Sequence, residues 1–425
     1  MLKEKIRIVI VGAGFGGIEL AKALRKSPVD VLLIDQHNYH NFQPLMYQVA
    51  TGGLEPGSIA YPVRRIFRRA KNVSFRMAEV QEVIPEQKKL KTSIGELHYD
   101  YLVIATGSQN NYFNFESVKD QLLTLKSIPE ALNLRSFIFQ NLEKALTNSA
   151  EESLEEIMNI AVVGGGPAGI ELAGALAEMK RFVLPKDFPE LDLSKMSINL
   201  YEASPKLLGT MSEEASSKSL DYLRELGINV FLNARVHAYD GSNITLEDES
   251  SFRTDTVIWT AGVKGAPVKG LPQDSIFGGN RIEVNEYNQV KGVDRIFAIG
   301  DVAAHITREE PKGLPLLAPV AQQQGKLLAK NLIQLIRKKP MKAFDYLDKG
   351  VMATIGRRKA VVDLKVWKFQ GTFAWLVWMF VHIMSLVGFR NKIVAFFDWM
   401  VNYFTYDRPL GLIIRPYKKR NKSLD

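Results

Sequence analysis

Three glycines near the start of the chain have the spacing of a dinucleotide-binding turn. Gly12, Gly14 and Gly17 form a G-x-G-x-x-G pattern between an apolar run at 7–11 and a helix-forming segment. The first glycine permits a tight turn, the second lets the backbone approach a pyrophosphate, and the third lets the helix pack closely on the strand. Phosphates would then face the helix N-terminus, whose amides and dipole favour negative charge. Because glycine-rich turns also occur without a ligand, the pattern alone leaves both interpretations open.

The same unit recurs later in the chain. Gly164, Gly166 and Gly169 repeat the spacing, and segment 164–176 is identical to segment 12–24 at nine of thirteen positions. Repetition of a whole strand–turn–helix unit is far less expected by chance than one glycine pattern. The sequence therefore predicts two dinucleotide sites and two nucleotide cofactors.

An acidic residue follows each glycine pattern at the end of the next apolar run. Asp35 stands 23 residues after Gly12, the distance at which one βαβ unit brings a carboxylate to a ribose hydroxyl. Glu202 stands 38 residues after Gly164, and a proline-containing insertion at 182–195 accounts for the excess. For both residues the alternative is a solvated acid in a turn.

The second acid also bears on the choice of coenzyme. The charge of Glu202 would repel a 2′-phosphate, and no arginine follows nearby to offset it, so we expect NADH in preference to NADPH. Lys206 is the nearby cation that could favour a phosphate instead.

The segment 36–53 mixes aromatic residues, amides and a proline without helical or strand period, which favours a ligand-lining loop. It contains His37 and His40 but no Cys, Asp or Glu, so we expect polar packing in preference to a metal site.

Two later strands also end in residues suited to a ligand. The run 101–107 enters the small-residue turn Ala105-Thr106-Gly107, where backbone could approach a flat ligand. Asp301 follows a buried strand, where it could cap a helix, bind a ligand hydroxyl, or do both at once.

These residues require an α/β scaffold, which the composition permits. The chain has 425 residues, enough for two or three domains, and 46% of them are hydrophobic.

The chain contains no cysteine, which excludes disulfides, thiolate zinc sites, cysteine-ligated iron–sulfur clusters and a dithiol relay beside a flavin. The net charge of +9 favours an anionic partner, but no nucleic-acid-reading motif is present. The first residues show no export or organelle signal.

The C-terminal part predicts contact with a membrane. The apolar run 373–389 has 17 residues, the lower limit for a span, and the next segment separates a polar from an apolar stripe. We expect both segments to lie on the membrane, although a buried helix pair or a span would also be apolar. The polar stripe comprises Asn391, Ala395, Asp398 and Asn402, and the apolar stripe comprises Phe396, Phe397, Met400 and Phe404. Basic residues that suit anionic headgroups flank these segments: Arg390, Lys392, Arg408, Arg415, Lys418, Lys419, Arg420 and Lys422.

Taken together, these motifs resemble the two-dinucleotide flavoproteins of the pyridine-nucleotide disulfide reductase superfamily, and more narrowly the type II NADH dehydrogenases. The segments that carry the resemblance span almost the whole chain in family order: 11–17, 42–52, 105–107, 164–171, 300–301, 318–324, 353–357 and 388–392. The resemblance implies one non-covalent FAD at the first site, NADH as substrate at the second, and a membrane quinone as electron acceptor.

The resemblance also implies roles for individual residues. Glu171 is expected where nicotinamide and flavin meet, the alternative being an acid that is stabilised by the helix dipole. Gln322 and Gln323 are expected to donate to flavin or quinone oxygens, although Pro319 replaces the first glutamine of the family pattern. The FAD site would comprise Gly12, Gly14, Phe15, Gly16, Gly17, Asp35, Gln43, Leu45, Val80, Ala105, Thr106, Gly107, Gly300, Asp301, Ala321 and Gln322. The NADH site would comprise Gly164, Gly166, Pro167, Ala168, Gly169, Glu171, Glu202, Ala261 and Gly262.

We therefore predict an α/β protein with two Rossmann-like dinucleotide-binding domains and a C-terminal membrane-attachment region of amphipathic helices. The expected segments are 1–115 and 271–340 for the FAD domain, 116–270 for the NADH domain and 341–425 for the attachment region. The expected reaction is NADH:quinone oxidoreduction without proton pumping, at the cytoplasmic face of a bacterial inner membrane, with a homodimer left open. The alternatives are a soluble NADH reductase of a ferredoxin-like partner and a membrane-bound NADH sensor.

Overall fold

The computed structural model describes residues 5–147, 151–405, 411–413 and 416–419. They form two compact units, each built from separate stretches of the chain. Unit 1 comprises residues 1–41, 61–109 and 263–348, and unit 2 comprises residues 42–60, 110–262 and 349–425. The segment boundaries expected from the sequence stay a prediction, because these units are defined by compactness and not by the ligand that each would bind.

The strands, in chain order, are β1 (Arg7–Val11), β2 (Asp30–Asp35), β3 (Tyr39–Asn41), β4 (Ala60–Pro62), β5 (Val73–Met77), β6 (Val80–Ile84), β7 (Lys89–Thr92), β8 (Gly95–His98), β9 (Tyr101–Ile104), β10 (Ser108–Asn110), β11 (Ile160–Val163), β12 (Ile198–Glu202), β13 (Asn229–Leu232), β14 (Val236–Tyr239), β15 (Asn243–Leu246), β16 (Ser251–Arg253), β17 (Thr256–Trp259), β18 (Val263–Gly265), β19 (Ile276–Phe277), β20 (Arg281–Val284), β21 (Ile296–Ala298), β22 (Ala303–His305), β23 (Val351–Thr354), β24 (Ala360–Asp363) and β25 (Lys368–Gln370).

The helices are α1 (Phe15–Leu24), α2 (Met46–Ala50), α3 (Pro56–Ile59), α4 (Val63–Phe67), α5 (Ile128–Thr147), α6 (Glu151–Met158), α7 (Pro167–Glu178), α8 (Leu184–Asp187), α9 (Glu213–Glu225), α10 (Ala318–Ile336), α11 (Thr372–Ser385) and α12 (Phe389–Thr405). The insertion after α7 is a π-helical turn, Met179–Val183, that leads into α8.

Unit 1 is organised around a five-stranded parallel sheet in the order β21-β9-β1-β2-β5. Alternate residues of a strand point to opposite faces, so Ile8 and Ile10 join one core with α1 and α10, while Val9 and Val11 join another. Burial of both faces explains why β1 reads as a continuous apolar run. The strand order reverses at β1, and open parallel sheets bind ligands beyond the carboxyl ends of strands at such a point.

Unit 2 contains a four-stranded parallel sheet in the order β13-β12-β11-β17. The motif strand β11 is again central and fully buried, with α7 directly after its turn. The predicted α/β class with two Rossmann-like sheets is therefore confirmed.

The segment 36–53 is more regular than the sequence indicates. It contains β3, a 3-10 turn at Gln43–Leu45 and the short helix α2, whose Met46, Tyr47 and Val49 are buried. No helical or strand period was visible in the sequence, because each of these elements is only three to five residues long.

The C-terminal part of unit 2 consists of the antiparallel sheet β23-β24-β25 and the helices α11 and α12. Helix α11 packs on β24 and β25, and α12 packs on α3. The apolar run predicted over 373–389 forms a helix of 14 residues, since α11 ends at Ser385. Among the described residues, no helix combines the length and apolar character needed to cross a bilayer.

Candidate functional site

The first glycine turn has the geometry that the sequence predicts. Gly12 adopts φ +109° and donates its N–H to Ile34 O at 2.7 Å. A Cβ on Gly12 would lie 2.2 Å from Ala105 O, and one on Gly17 would lie 1.9 Å from Gly12 O. Side chains at these two positions would therefore push the turn away from the sheet.

The second glycine of the motif has a different environment. Gly14 is exposed, and a Cβ built on it would meet no described atom within 4 Å. This open space at the start of α1 fits the requirement that backbone approaches a pyrophosphate. Inside the motif, Gly16 packs against Ile299, and the Phe15 ring makes an edge contact with His40 at 5.2 Å.

Unit 2 repeats this geometry closely. Gly164 adopts φ +113°, its virtual Cβ lies 2.7 Å from Ala261 Cα, and that of Gly169 lies 1.9 Å from Gly164 O. Gly166 has open space, as Gly14 does. Pro167 begins α7, where its missing N–H costs nothing, and Ala168 follows in the first turn. Gly262, at φ +157°, continues the turn after Ala261.

The two predicted ribose acids support the glycine turns. The Oδ2 atom of Asp35 accepts from Ala13 N at 2.6 Å, and its Oδ1 atom accepts from His37 N at 2.7 Å. In unit 2 the Oε2 atom of Glu202 accepts from Gly165 N at 2.6 Å, and its Oε1 atom accepts from Ser204 N. Both acids are partly buried at the end of their strand, so they are not solvated turn acids.

The cation near Glu202 already has a partner. Lys206 Nζ lies 3.0 Å from Glu213 Oε1. This pairing weakens the argument for a 2′-phosphate site and agrees with the expected preference for NADH.

The turn after β9 makes hydrogen bonds to two later parts of the chain, at Ala266 and at Asp301. Gly107 adopts φ +72°, and Thr106 Oγ1 donates to Ala266 O at 2.6 Å. Ser108 Oγ donates to Asp301 Oδ2 at 2.5 Å, and the Asp301 side chain does not cap the 3-10 turn Gly300–Val302. Ile299 is the N-cap of this turn, so the predicted capping role of Asp301 is wrong, while its role toward a ligand stays a prediction.

Sequence reasoning missed two residues of this region, Ser108 and Gln324. Gln324 is 1% exposed, and its Oε1 accepts from Gly300 N at 2.7 Å, so it fixes the Gly300–Asp301 turn. Its neighbours in a run of three glutamines were named, but nothing local distinguishes the three.

The two predicted catalytic glutamines differ. Gln323 donates from Nε2 to Leu347 O at 2.9 Å and accepts at Oε1 from Leu347 N at 3.1 Å. Both the nitrogen and the oxygen of its side-chain amide are therefore used in the fold. Gln322 is half-buried, and its side chain makes no hydrogen bond within the described part of the chain. Ala321, before them on α10, is buried and contacts Gly300.

The remaining predicted FAD residues fall in both units. Gln43 is exposed in unit 2 and donates to Lys126 O at 3.3 Å, and Leu45 beside it is fully buried. Val80 begins β6 in unit 1 and packs partly against its core.

The two histidines of segment 36–53 have separate environments. The His40 ring Nδ1 lies 2.9 Å from Ala13 O, and burial lowers the pKa of His40. The His37 pKa is raised by its hydrogen bond to Asp35. No cluster of three or more His, Cys, Asp or Glu side chains suited to a metal ion occurs in the described part of the chain.

Among the described acidic side chains, Glu171 has the pKa that lies furthest from its ordinary value. It lies in the second turn of α7, 8% exposed, and burial raises its pKa to about 8. Thr354 N donates to Glu171 Oε1 at 3.4 Å. The Thr354 N–H and the indole of Trp378 on α11 both favour the charged form and so oppose the rise in pKa. The Trp378 contact is longer than a hydrogen bond, because its buried Nε1 has no acceptor within reach among the described residues.

The repeat equivalent of Glu171 shows what an ordinary helix acid looks like. Glu19 of α1 is partly exposed and pairs with Lys22 at 2.9 Å and Lys326 at 3.6 Å. No cation among the described residues pairs with Glu171, so the same sequence position yields a partly exposed ion pair in unit 1 and a buried acid in unit 2.

The helix α12 turns its polar stripe toward the protein, not toward water. Asn391 Nδ2 donates to Gly57 O and Ala60 O, and Asp398 accepts from Ser58. The apolar stripe is exposed instead. The exposed apolar side chains of both C-terminal helices are Phe373, Leu376, Phe380, Val381, Met384, Ile393, Phe396, Phe397, Met400 and Val401. The side chains of Asn402 and Phe404 lie outside the described residues.

The prediction that the basic C-terminal residues all face anionic headgroups is wrong at one position. Lys419 is turned inward, where its Nζ donates to Asp255 O and lies 3.3 Å from the hydroxyl of Tyr239. It therefore does not contribute to a surface for anionic headgroups, whereas Lys418 is exposed. Arg408, Arg415, Arg420 and Lys422 lie outside the described residues.

The chain is similar to known protein families over most of its length. Residues 6–325 match the family described as pyridine nucleotide-disulphide oxidoreductase, and residues 349–406 match the NDH2 C-terminal domain. The chain is 32% identical to the type II NADH:quinone oxidoreductase Ndh of Mycobacterium tuberculosis, with 95% of this chain and 89% of the relative covered. It is 33% identical to a type II NADH:quinone oxidoreductase of Haemophilus influenzae, with 84% and 86% covered.

Among solved structures, the fold is similar to NDH2 from Plasmodium falciparum in complex with NADH. The TM-score is 0.87 at 22% identity, and the match covers 96% of this chain and all of the other.

Proposed function

Because the chain belongs to the family of type II NADH:quinone oxidoreductases, we propose that it oxidises NADH and reduces a membrane quinone without pumping protons. The observation that supports this function is the duplicated glycine turn with its supporting acid: Gly12 and Asp35 in unit 1 have the same geometry as Gly164 and Glu202 in unit 2. Two such sites in one chain suit a resident flavin nucleotide and a pyridine nucleotide substrate.

The residues of unit 1 fit FAD. The open backbone at Gly14 suits the pyrophosphate, while Asp35 keeps lone pairs for a ribose hydroxyl after binding Ala13 and His37. Asp301, oriented by Ser108, would hold the ribityl chain, and the Gln322 side-chain amide makes no hydrogen bond to the described residues. Held by these residues, FAD would supply the two-electron chemistry that links NADH oxidation to quinone reduction. The chain contains no cysteine, so no thiol relay takes part.

The residues of unit 2 would hold NADH in the same manner. Gly166 is open to the pyrophosphate, and Glu202 would bind the adenosine ribose. A 2′-phosphate would meet the Glu202 charge, while Lys206 is paired with Glu213. The NADH preference follows from this arrangement.

Quinone reduction consumes two protons as well as two electrons, and Glu171 can store one of them. Because burial raises its pKa to about 8, the carboxyl is protonated at neutral pH. We therefore assign Glu171 the role of holding a proton at its carboxyl oxygen for release during turnover.

The membrane is the proposed source of the quinone. The exposed apolar faces of α11 and α12, with Arg390 exposed beside them, suit helices that lie in a bilayer interface. The cytoplasmic face of a bacterial inner membrane and a homodimer are further proposals. Sedimentation with vesicles and light scattering in detergent would test attachment and oligomeric state.

One assay separates the proposed function from its alternatives. The purified protein should be yellow, bleach with NADH much faster than with NADPH, and be reoxidised anaerobically by a short-chain quinone. Reoxidation by a ferredoxin but not by quinone would favour a soluble-type reductase. Slow bleaching and slow reoxidation with every acceptor would favour an NADH sensor.

A further inference from the structure

The connection between β24 and β25 presents an exposed apolar tip. Residues 364–367 form a tight turn, closed by Leu364 N donating to Trp367 O at 2.9 Å. At this turn Val366 is 97% exposed and Trp367 is 57% exposed. Single exposed apolar residues are common, but a neighbouring pair at the end of a hairpin is an unusual arrangement in water.

This tip is continuous with the exposed face of α11. The rings of Trp367 and Phe369 lie 4.6 Å apart, and Phe369 lies 5.3 Å from Phe373 at the start of the helix. Phe373 is itself 54% exposed and opens the apolar face that runs to Phe380. Hairpin and helix therefore present one aromatic surface.

The charged residues that flank the apolar pair are both lysines. Lys365 and Lys368 flank the apolar pair directly, and both are exposed. The sequence contains no acidic residue between Asp363 and Asp398. An apolar pair between two lysines matches the layering of a bilayer interface, where tryptophan lies at the headgroup level and cations meet anionic phosphates.

We propose that the hairpin tip 364–367 is a separate membrane-inserting element that binds anionic phospholipid headgroups through Lys365 and Lys368. The proposal rests on the membrane attachment proposed above and adds a contact outside the two helices. Val366 and Trp367 enter the interface, and the lysines remain at its phosphate level. Attachment of the aromatic surface formed by Trp367, Phe369 and Phe373 then fixes how α11 lies on the bilayer.

A single fluorescent label tests insertion. Because the chain has no cysteine, Val366→Cys provides a unique site for an environment-sensitive dye on the FAD-loaded protein. Ile94→Cys is the matched control, since Ile94 is 51% exposed at the tip of the β7–β8 hairpin in unit 1. With vesicles that contain phosphatidylglycerol, the dye at position 366 should shift to the blue and be quenched by spin-labelled lipid. The dye at position 94 should do neither.

Charge variants test the headgroup contact. Lys365→Gln with Lys368→Gln should weaken partition onto anionic vesicles by roughly fivefold for each lysine, with little effect on phosphatidylcholine vesicles. Lys88→Gln with Lys91→Gln removes the same charge from exposed positions near the control hairpin and should change partition much less.

Three results would overturn the proposal. If the protein sediments with vesicles while the dye at position 366 keeps its aqueous emission, the hairpin proposal fails and membrane attachment stands. If the protein does not sediment at all, both fail. A blue shift without lipid that grows with protein concentration would instead assign the tip to contact with a second copy of the chain.

Discussion

Glu202 accepts a hydrogen bond of 2.6 Å from the backbone N–H of Gly165. In the other unit, Asp35 accepts an equivalent hydrogen bond, also of 2.6 Å, from the backbone N–H of Ala13. Each acid therefore supports the turn that would carry its nucleotide. The two residues can be exchanged for amides to test which nucleotide belongs to which unit.

Glu202→Gln should impair NADH binding and leave the flavin in place. The loss of a charged acceptor in the turn should raise the KM for NADH about tenfold or more, since hydrogen bonds to charged groups contribute about 1.5–3 kcal/mol. Discrimination against NADPH should fall because the repelling charge is gone. Steady-state kinetics and the flavin absorbance of the purified protein measure both effects.

Asp35→Asn is the matched variant in unit 1. It should lose flavin during purification, and added FAD should restore its activity. If Asp35→Asn keeps its flavin while Glu202→Gln loses it, the assignment of nucleotides to units is reversed.

Glu171→Gln should lower quinone reduction about a hundredfold if the carboxyl supplies a proton, the usual scale of such a contribution. NADH-dependent bleaching, measured in the absence of quinone, should change much less. An unchanged rate and pH profile of quinone reduction would contradict the role.

The same substitution should flatten the pH dependence of stability. Because the folded pKa of about 8 lies above the ordinary 4.5 of Glu, the folded state holds a proton that the unfolded state has lost between these values. Stability from this residue is thus complete below about pH 4.5 and is lost as pH rises through 8. Melting curves at pH 6 and pH 9 should differ less for Glu171→Gln than for the parent chain.

Trp378→Phe should raise the Glu171 pKa further, because the indole N–H favours the carboxylate. We expect a shift of less than about one pH unit toward alkaline pH in the profile of quinone reduction, with the rate at neutral pH nearly unchanged. Trp375→Phe, on the same helix, is the control. Equal profiles for both variants would show that Trp378 acts through packing alone.

Gln322→Ala and Gln323→Ala should separate catalysis from folding. The Gln322 side-chain amide has no hydrogen-bond partner in the described part of the chain, so its loss should lower activity with quinone without lowering the melting temperature. Gln323 closes both hydrogen bonds to Leu347, and its loss should cost about 1–3 kcal/mol of stability. The opposite pattern would restore Gln323 as the residue that contacts flavin or quinone.

Lys419→Gln should not weaken binding to anionic vesicles, because its ammonium lies against Asp255 O inside unit 2. A modest loss of thermal stability is expected instead. Lys418→Gln, at an exposed neighbour, should leave stability unchanged. Weaker vesicle binding by Lys419→Gln at unchanged stability would contradict the inward orientation.

The nucleotide sites could be predicted from sequence because their chemistry is local. Gly12, Gly17 and Asp35 meet within one βαβ unit, and steric and hydrogen-bonding needs fix their types and spacing. The internal repeat transferred the same argument to Gly164 and Glu202.

Residues that act across long chain separations were not predictable. Ser108 reaches Asp301 across 193 positions, and Trp378 affects Glu171 only because α11 returns to unit 2. Three consecutive glutamines on α10 point in directions about 100° apart, so their partners differ although their sequence context is the same. The stripes of α12 were visible, but its orientation depended on acceptors at Gly57 and Ala60.

The inward polar stripe of α12 makes shortening the chain a poor route to a detergent-free enzyme. Asn391 occupies the carbonyl groups of Gly57 and Ala60, and Trp399 Nε1 donates to Gln48 Oε1 at 2.5 Å. Cutting away the last helices would strip these donors from segment 42–60 and uncouple it from its support. A water-compatible variant should instead keep the helices and replace outward side chains such as Phe397 and Met400 with polar ones.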